Sequence, residues 1–274
     1  MVDNNYFTKL EEPVRASCQI ETGLFEEFEV KRGLRNKDGT GVLVGLTNIG
    51  DVVGYKKEDG KVVAIPGRLL YWGIDIEDIT SGFQKEDRHG FDETVYLLLT
   101  GHLPNKKELS EFMEYMSSLR ALPDDFVKDM ILSMKGKDVL NILARSVLGL
   151  YTLDENPDSI DLKNMIKQSL NIIAKFPTIV AYSYQALRHL YKGKTLSIRH
   201  PQPNLSPAEN FLYLIKGDCI AFSKLEADLL DLMLVLHAEH GGGNNSTFTM
   251  RVTSSSETDI YSSITSAIGS LKGP

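Results

Sequence analysis

The feature that most constrains the fold is a helix-start pattern, Ser or Asn followed three residues later by Glu, that recurs along the chain. It occurs at four places: Asn105 with Glu108, Ser206 with Glu209, Ser223 with Glu226, and Ser254 with Glu257. In such a capping box the two side chains bond the free backbone N–H groups at the start of a helix. We therefore expect a helix after each box, the last one covering residues 257–271.

Apolar residues recur at helical spacing behind these starts. One stripe consists of Leu109, Phe112, Met113, Met116 and Leu119, and another of Val139, Leu140, Leu143, Val147 and Leu150. A longer pattern covers residues 158–191 and contains Pro177, which predicts a kink or a break because proline cannot donate the helical hydrogen bond. The pattern as a whole predicts a mainly α fold.

One region, residues 42–65, has the β-branched and glycine-rich composition of strands. Its first strand is expected at residues 42–44. Asp59-Gly60 lies between two later apolar runs and is a strong signal for a two-residue hairpin turn. The sequence therefore predicts one small N-terminal β-hairpin region, with strand confined to residues 42–65.

Composition excludes several classes of protein. The 274 residues carry a net charge of −7 without a long basic run, which argues against a nucleic-acid partner. Cys18 and Cys219 do not form a Cys-x-x-Cys motif, which favours a reducing cytoplasm. The N-terminus lacks the basic and apolar regions of a signal peptide, and the sequence lacks an apolar run of about 18 residues. We expect a cytoplasmic protein without a membrane partner.

Residues 237–244, HAEHGGGN, form the candidate binding segment. Imidazole, amide and backbone N–H groups on a glycine loop can together hold a small anion. Alternatively, the glycines only end a helix and the histidines fill the space beneath them. A zinc site is disfavoured because His237-x-x-His240 lacks the known metalloprotease spacing and a third ligand. We expect the other histidines to be structural or exposed: His89, His102, His189 and His200.

Five segments in order resemble the citrate synthase family: GRLLYWGIDI at 67–76, FDETVYLLLTGHLP at 91–104, AKFPTIVAY at 174–182, LSPAENFLY at 205–213, and residues 237–244. The resemblance implies that residues 1–274 form the N-terminal part of the multihelical large domain, without the small domain and the C-terminal segment. Gly273-Pro274 matches the dipeptide that precedes the family's catalytic histidine. No catalytic set is then complete in this chain, which is expected to be inactive alone.

The resemblance also implies a reaction and its site residues. The family condenses acetyl-CoA with oxaloacetate to give citrate and CoA in the tricarboxylic acid cycle. It uses the coenzyme A thioester as a substrate, with neither a cofactor nor a metal, and it forms homodimers. His240 and Asn244 carry over as oxaloacetate-binding residues, and His237, Gly242 and Gly243 as supporting ones. We expect His240 to face inward at the edge of a cleft, and self-association through residues 139–150 and 166–173.

Two positions depart from the family pattern. Gly241 stands where many members have Glu, and Trp72 where many have Arg. The choice between acetyl-CoA and propionyl-CoA, the substrate of a 2-methylcitrate synthase, therefore stays open. A non-catalytic helical module for dimerisation or binding is the remaining alternative.

Overall fold

The computed structural model describes residues 22–27, 47–216, 221–241 and 244–272. The chain divides into two units, Met1–Val44 and Gly45–Pro274. In the first unit the description is limited to one short helix, α1, Thr22–Glu27. The strand predicted at residues 42–44 lies outside the described residues.

The described part of the second unit is mainly helical, as predicted. Its α-helices are α2 Ile76–Lys85, α3 Phe91–Thr100, α4 Lys106–Ser118, α5 Asp124–Phe126, α6 Val139–Gly149, α7 Leu162–Lys192, α8 Pro207–Lys216, α9 Lys224–Leu236, α10 Asn245–Ser254 and α11 Ile260–Leu271. A π-helical segment, Val127–Ser133, follows α5, and a 3-10 turn, Leu150–Leu153, follows α6. Among the described helices, none is long and apolar enough to cross a membrane.

Three of the four predicted capping boxes are confirmed by reciprocal hydrogen bonds, those at Asn105, Ser206 and Ser223. The fourth prediction is wrong, because Ser254 is the last residue of α10 and Glu257 has a left-handed φ of 60°. Helix α11 instead begins after Asp259, whose carboxylate accepts from the backbone N–H of Ser262 at 2.8 Å. A carboxylate is an equally good N-cap, and it lies closer to the apolar stripe of this helix.

A three-stranded antiparallel sheet precedes α2: β1 Gly50–Glu58, β2 Lys61–Tyr71 and β3 Ile74–Asp75. The predicted turn is confirmed, with φ of 49° at Asp59 and 76° at Gly60, the geometry of a type I′ hairpin. The predicted end of the strand region at residue 65 is wrong. Pairing resumes after the irregularity between Val53 and Tyr55, and Gly50 lies opposite Tyr71.

Helix α7 runs for 31 residues through Pro177, so of the predicted kink or break, the break is wrong. The residues that follow the proline hold this turn in place. Thr178 Oγ1 donates to the carbonyl of Arg120 at 2.9 Å, and the Ile179 side chain is fully buried. Tertiary packing of this kind offsets the missing backbone hydrogen bond.

Three hydrophobic clusters lie in the described part of the second unit. The largest surrounds α6, α7, α8 and α11 and includes Ile142, Leu143, Val147, Leu150 and Ile172. Leu170 is buried in another, smaller cluster with Val95, Met116 and Ala174. These side chains form the core of the chain itself and are not available for self-association. Leu140, Leu148 and Ile166 of the same ranges are exposed, so self-association through residues 139–150 and 166–173 stays a prediction. The remaining cluster joins β2, α2, α3 and α9 through Tyr71, Ile79, Phe83, Leu97 and Val235.

Asp92 of α3 is a buried carboxylate whose Oδ1 has no hydrogen-bond partner among the described residues. Burial raises the pKa of Asp92 to about 6, although the charge of Arg120 lowers it; Asp231 adds to the rise. The folded chain therefore holds this proton more tightly than the unfolded chain. The contribution of Asp92 to the free energy of unfolding therefore falls as the pH rises from about 4 to about 6.

We expect Asp92→Asn to raise the free energy of unfolding by about 2–3 kcal/mol at about pH 8, because the neutral amide removes a buried charge. At about pH 4 the wild-type carboxyl is itself protonated when folded, and the gain should vanish. Urea unfolding of both proteins at the two pH values measures the difference. Asp129→Asn, at an exposed position, is the matched control. A gain of equal size at both pH values would show that the charge of Asp92 is not its cause.

Candidate functional site

The candidate site starts at the C-terminal end of α9, which is held by Tyr71 of β2. The Tyr71 hydroxyl donates to the carbonyl of Val235 at 2.7 Å and accepts from the backbone N–H of Glu239 at 3.2 Å. Burial raises the pKa of Tyr71, so its hydroxyl keeps the proton that it donates. One buried side chain therefore determines where the helix ends and where the loop begins.

Glu239 folds back and closes the first turn of this loop. Its Oε1 accepts from the backbone N–H groups of His240 at 3.0 Å and Gly241 at 2.6 Å. Gly241 has a φ of 86°, which favours glycine. A Cβ atom on Gly50 would lie 2.4 Å from Glu239 Cγ, so only glycine at the start of β1 leaves room for this side chain.

The structure brings His240 and Asn244 together. Asn244 Nδ2 lies 2.9 Å from His240 Nε2. Asn244 is also the N-cap of α10, because its Oδ1 accepts from the backbone N–H of Ser246 at 2.7 Å. These two predicted site residues thus form one hydrogen-bonded pair between two helices. Gly242 and Gly243, between them, lie outside the described residues.

His240 is exposed, so the prediction that it faces inward is wrong. The physical reason is the preceding residue, since Glu239 turns toward β1 and its carboxylate bonds the backbone of His240. His237, the C-cap of α9, is also exposed, and its Nδ1 lies 2.8 Å from the carbonyl of Met233. The imidazole of His240 is therefore accessible to a ligand, whereas that of His237 is bonded to its own helix.

The other histidines are structural or exposed, as predicted. His89 Nε2 lies 3.2 Å from Asp228 Oδ1, and His102 packs edge-on against Tyr96. His189 Nδ1 lies 2.9 Å from the carbonyl of Lys194, and His200 is exposed. Within the described ranges, no three His, Cys, Asp or Glu side chains are grouped so that they could hold a metal ion.

Two residues that support the site were missed in the sequence, Tyr71 and Asp231. Asp231 is fully buried on α9, and its carboxylate accepts from the backbone N–H groups of Gly90 at 2.6 Å and Phe91 at 3.2 Å. It therefore caps α3 from another helix. An acidic residue next to the apolar stripe of α9 was the available signal, but its partners lie about 140 positions away.

Comparison with known proteins identifies the family. Residues 36–274 match the family model described as citrate synthase, C-terminal domain. This chain belongs to the citrate synthase family. Citrate synthase 2 of Bacillus subtilis is 35% identical over 211 residues, which cover 77% of this chain and 53% of that protein. 2-Methylcitrate synthase 2 of Corynebacterium glutamicum is 31% identical over 217 residues, covering 78% and 53%.

The fold also agrees with solved citrate synthases. The crystal structure of citrate synthase from Thermotoga maritima is similar with a TM-score of 0.66 and 30% identity, over 89% of this chain and 56% of that one. The prediction of a multihelical citrate synthase fold is thereby confirmed. The chain spans about half the length of the curated citrate synthases that it matches.

Proposed function

We propose that this citrate synthase-family chain supplies the oxaloacetate-binding part of an enzyme that condenses acetyl-CoA with oxaloacetate, giving citrate and CoA in the tricarboxylic acid cycle. The observation that carries the proposal is the His240–Asn244 pair, which lies accessible between α9 and α10. We place the enzyme in the cytoplasm, without a nucleic-acid or membrane partner and without a cofactor beyond the coenzyme A thioester substrate.

The chemistry explains why such a pair is useful. The enol of the thioester attacks the ketone of oxaloacetate, and negative charge develops on the ketone oxygen. Fixed hydrogen-bond donors near that oxygen stabilise the transition state more than the ground state. His240 can act as such a donor. It cannot also abstract the proton beside the thioester, which needs a separate base.

The second candidate is a 2-methylcitrate synthase, which uses propionyl-CoA. Similarity to the Corynebacterium glutamicum protein favours it, and the departures at Gly241 and Trp72 leave the choice between the two thioesters open. Trp72 lies in the β2–β3 turn with a φ of 49°, and its Nε1 donates to the carbonyl of Leu98 at 3.2 Å. Turnover with the two thioesters, measured in a polypeptide that supplies the rest of the family's length, separates these candidates.

Oxaloacetate titration followed by NMR tests the proposed binding role. Resonances of His240 and Asn244 should shift on addition of oxaloacetate, and the shift should saturate. Succinate, which has two carboxylates and no ketone, is the control ligand and should bind more weakly. If oxaloacetate leaves both residues unchanged, the proposal fails, and the alternative of a non-catalytic helical module is favoured.

We also propose that these 274 residues alone do not catalyse the condensation. The family's catalytic histidine after the Gly-Pro dipeptide, its aspartate and its downstream arginines are not among them. Release of free CoA from acetyl-CoA and oxaloacetate is the measurement. Release above a heat-treated control by the purified 274-residue chain would contradict this.

We propose that the chain forms homodimers through the outer face of α9. Four apolar side chains there are 39–65% exposed: Leu225, Leu229, Met233 and Leu236. A contiguous apolar patch of this kind marks a protein–protein contact more often than solvent-exposed surface. A charge within it should weaken association by at least about tenfold.

Leu229→Glu is therefore expected to shift the chain from dimer toward monomer in sedimentation velocity. Leu162→Glu, at a leucine that is 75% exposed on α7, is the matched control and should sediment as the wild type. A wild-type chain that is monomeric at high concentration would contradict the proposal. So would a dimer that Leu229→Glu leaves intact.

A further inference from the structure

We propose that Asn244 holds His240 in the Nδ1–H tautomer, so that Nδ1–H is the hydrogen that this site offers to a ligand. The tautomer follows from the hydrogen bonds alone. That the ligand is oxaloacetate rests on the proposed function.

The orientation of the Asn244 amide is fixed by Ser246. Asn244 Oδ1 faces the backbone N–H of Ser246 at 2.7 Å, and a backbone N–H can only donate. The atom on that side must therefore be the amide oxygen. The Ser246 hydroxyl also donates to the same oxygen. A flipped amide would place two donors against each other and would remove the N-cap of α10.

The Asn244 amide in turn determines which ring nitrogen of His240 carries the proton. With Oδ1 directed to Ser246, the amide Nδ2, which can only donate, faces His240 Nε2 at 2.9 Å. Nε2 must accept, so it carries a lone pair and no hydrogen. A neutral imidazole has one N–H, which must then be on Nδ1. Free histidine in water prefers the opposite tautomer, so the site reverses the intrinsic preference.

The Nδ1–H group of His240 is available to a ligand. His240 is exposed, and its Nδ1 makes no hydrogen bond in the described part of the chain. The Nδ1–H group can therefore donate to a ketone or carboxylate oxygen. In the other tautomer Nδ1 would present a lone pair to that oxygen and repel it. Asn244 is thus a positioning residue that acts on the ligand through His240.

Nitrogen-15 NMR of the imidazole rings, at an alkaline pH where histidine is neutral, reads the tautomer directly. The His240 signals are assigned by their loss in His240→Ala. In the wild type we expect a protonated Nδ1 and an unprotonated Nε2. Asn244→Asp keeps a good N-cap but replaces the donor by an acceptor, so the proton should move to Nε2.

Asn244→Ser is the matched control, because serine caps the helix while lacking a group that reaches Nε2. We expect it to restore the preference of free histidine. Circular dichroism checks that all three proteins keep their helix content. A wild type with Nε2–H would overturn the proposal, and so would one tautomer shared by wild type and Asn244→Asp.

The same samples separate this inference from the proposed function. Oxaloacetate titrations should show affinity lowered at least about tenfold in Asn244→Ser, the loss of one oriented hydrogen bond to a charged ligand. If the wild type has Nδ1–H but does not bind oxaloacetate, the function fails and the tautomer assignment stands. If oxaloacetate binds to a wild type with Nε2–H, the inference fails and the function stands.

Discussion

Asp231→Ala is expected to lower the free energy of unfolding by about 2–5 kcal/mol, because it leaves one buried and one partly buried backbone N–H group without an acceptor. Both groups are at the start of α3, at Gly90 and Phe91. Burial raises the pKa of Asp231, so removing its charge offsets part of this loss. Asp231→Asn keeps one acceptor oxygen and should lower the free energy of unfolding less than the alanine variant does.

Urea unfolding followed by circular dichroism measures the three stabilities. The matched control is Asp228→Ala, one turn earlier on α9, where the carboxylate is 41% exposed and pairs with Lys224 and His89. Exposed ion pairs contribute about 0–1 kcal/mol, so this variant should unfold close to the wild type. Equal midpoints for Asp231→Ala and Asp228→Ala would show that Asp231 does not cap α3.

His240→Ala is expected to reduce kcat/KM for oxaloacetate by about 10²–10³ in an active enzyme that contains these residues. The reason is loss of a donor whose hydrogen bond strengthens as charge develops on the substrate oxygen. Because the side chain is exposed, the variant should unfold within about 0.5 kcal/mol of the wild type.

His237→Ala is the matched control for this prediction. Its imidazole is exposed three residues earlier, but Nδ1 lies against the Met233 carbonyl. Because His237 is a supporting residue, its substitution should lower turnover much less than His240→Ala does. A normal rate with a lowered urea midpoint in His240→Ala would identify a structural histidine.

Features that depend on neighbouring residues could be predicted from the sequence. The Asp59-Gly60 turn and the boxes at Asn105, Ser206 and Ser223 all formed as expected, because each depends on residues one to three positions apart. The error at Ser254 has the same origin. Two acceptable caps, Ser254 and Asp259, precede the same apolar stripe, and local patterns alone do not decide between them.

Features that depend on distant residues could not be predicted. The extension of β2 to Tyr71 requires pairing with Gly50, and the exposure of His240 requires that Glu239 occupies the space beside Gly50. From the sequence, His240 and Asn244 could be assigned to the same loop, but their hydrogen bond could not be predicted. Their hydrogen bond depends on the geometry of α9 and α10, which the spacing of residues does not contain.

Two hydrogen bonds to α9 also determine when the site can form during synthesis. The bond of Tyr71 to Val235 cannot form until 164 more residues have been added, and that of Gly90 to Asp231 until 141 more have been added. At typical translation rates the interval between Tyr71 and Val235 is roughly 8–33 s. The hairpin and α3 are therefore synthesised before their partner helix exists, and the Tyr71 hydroxyl and the first N–H groups of α3 lack these partners until α9 has been made.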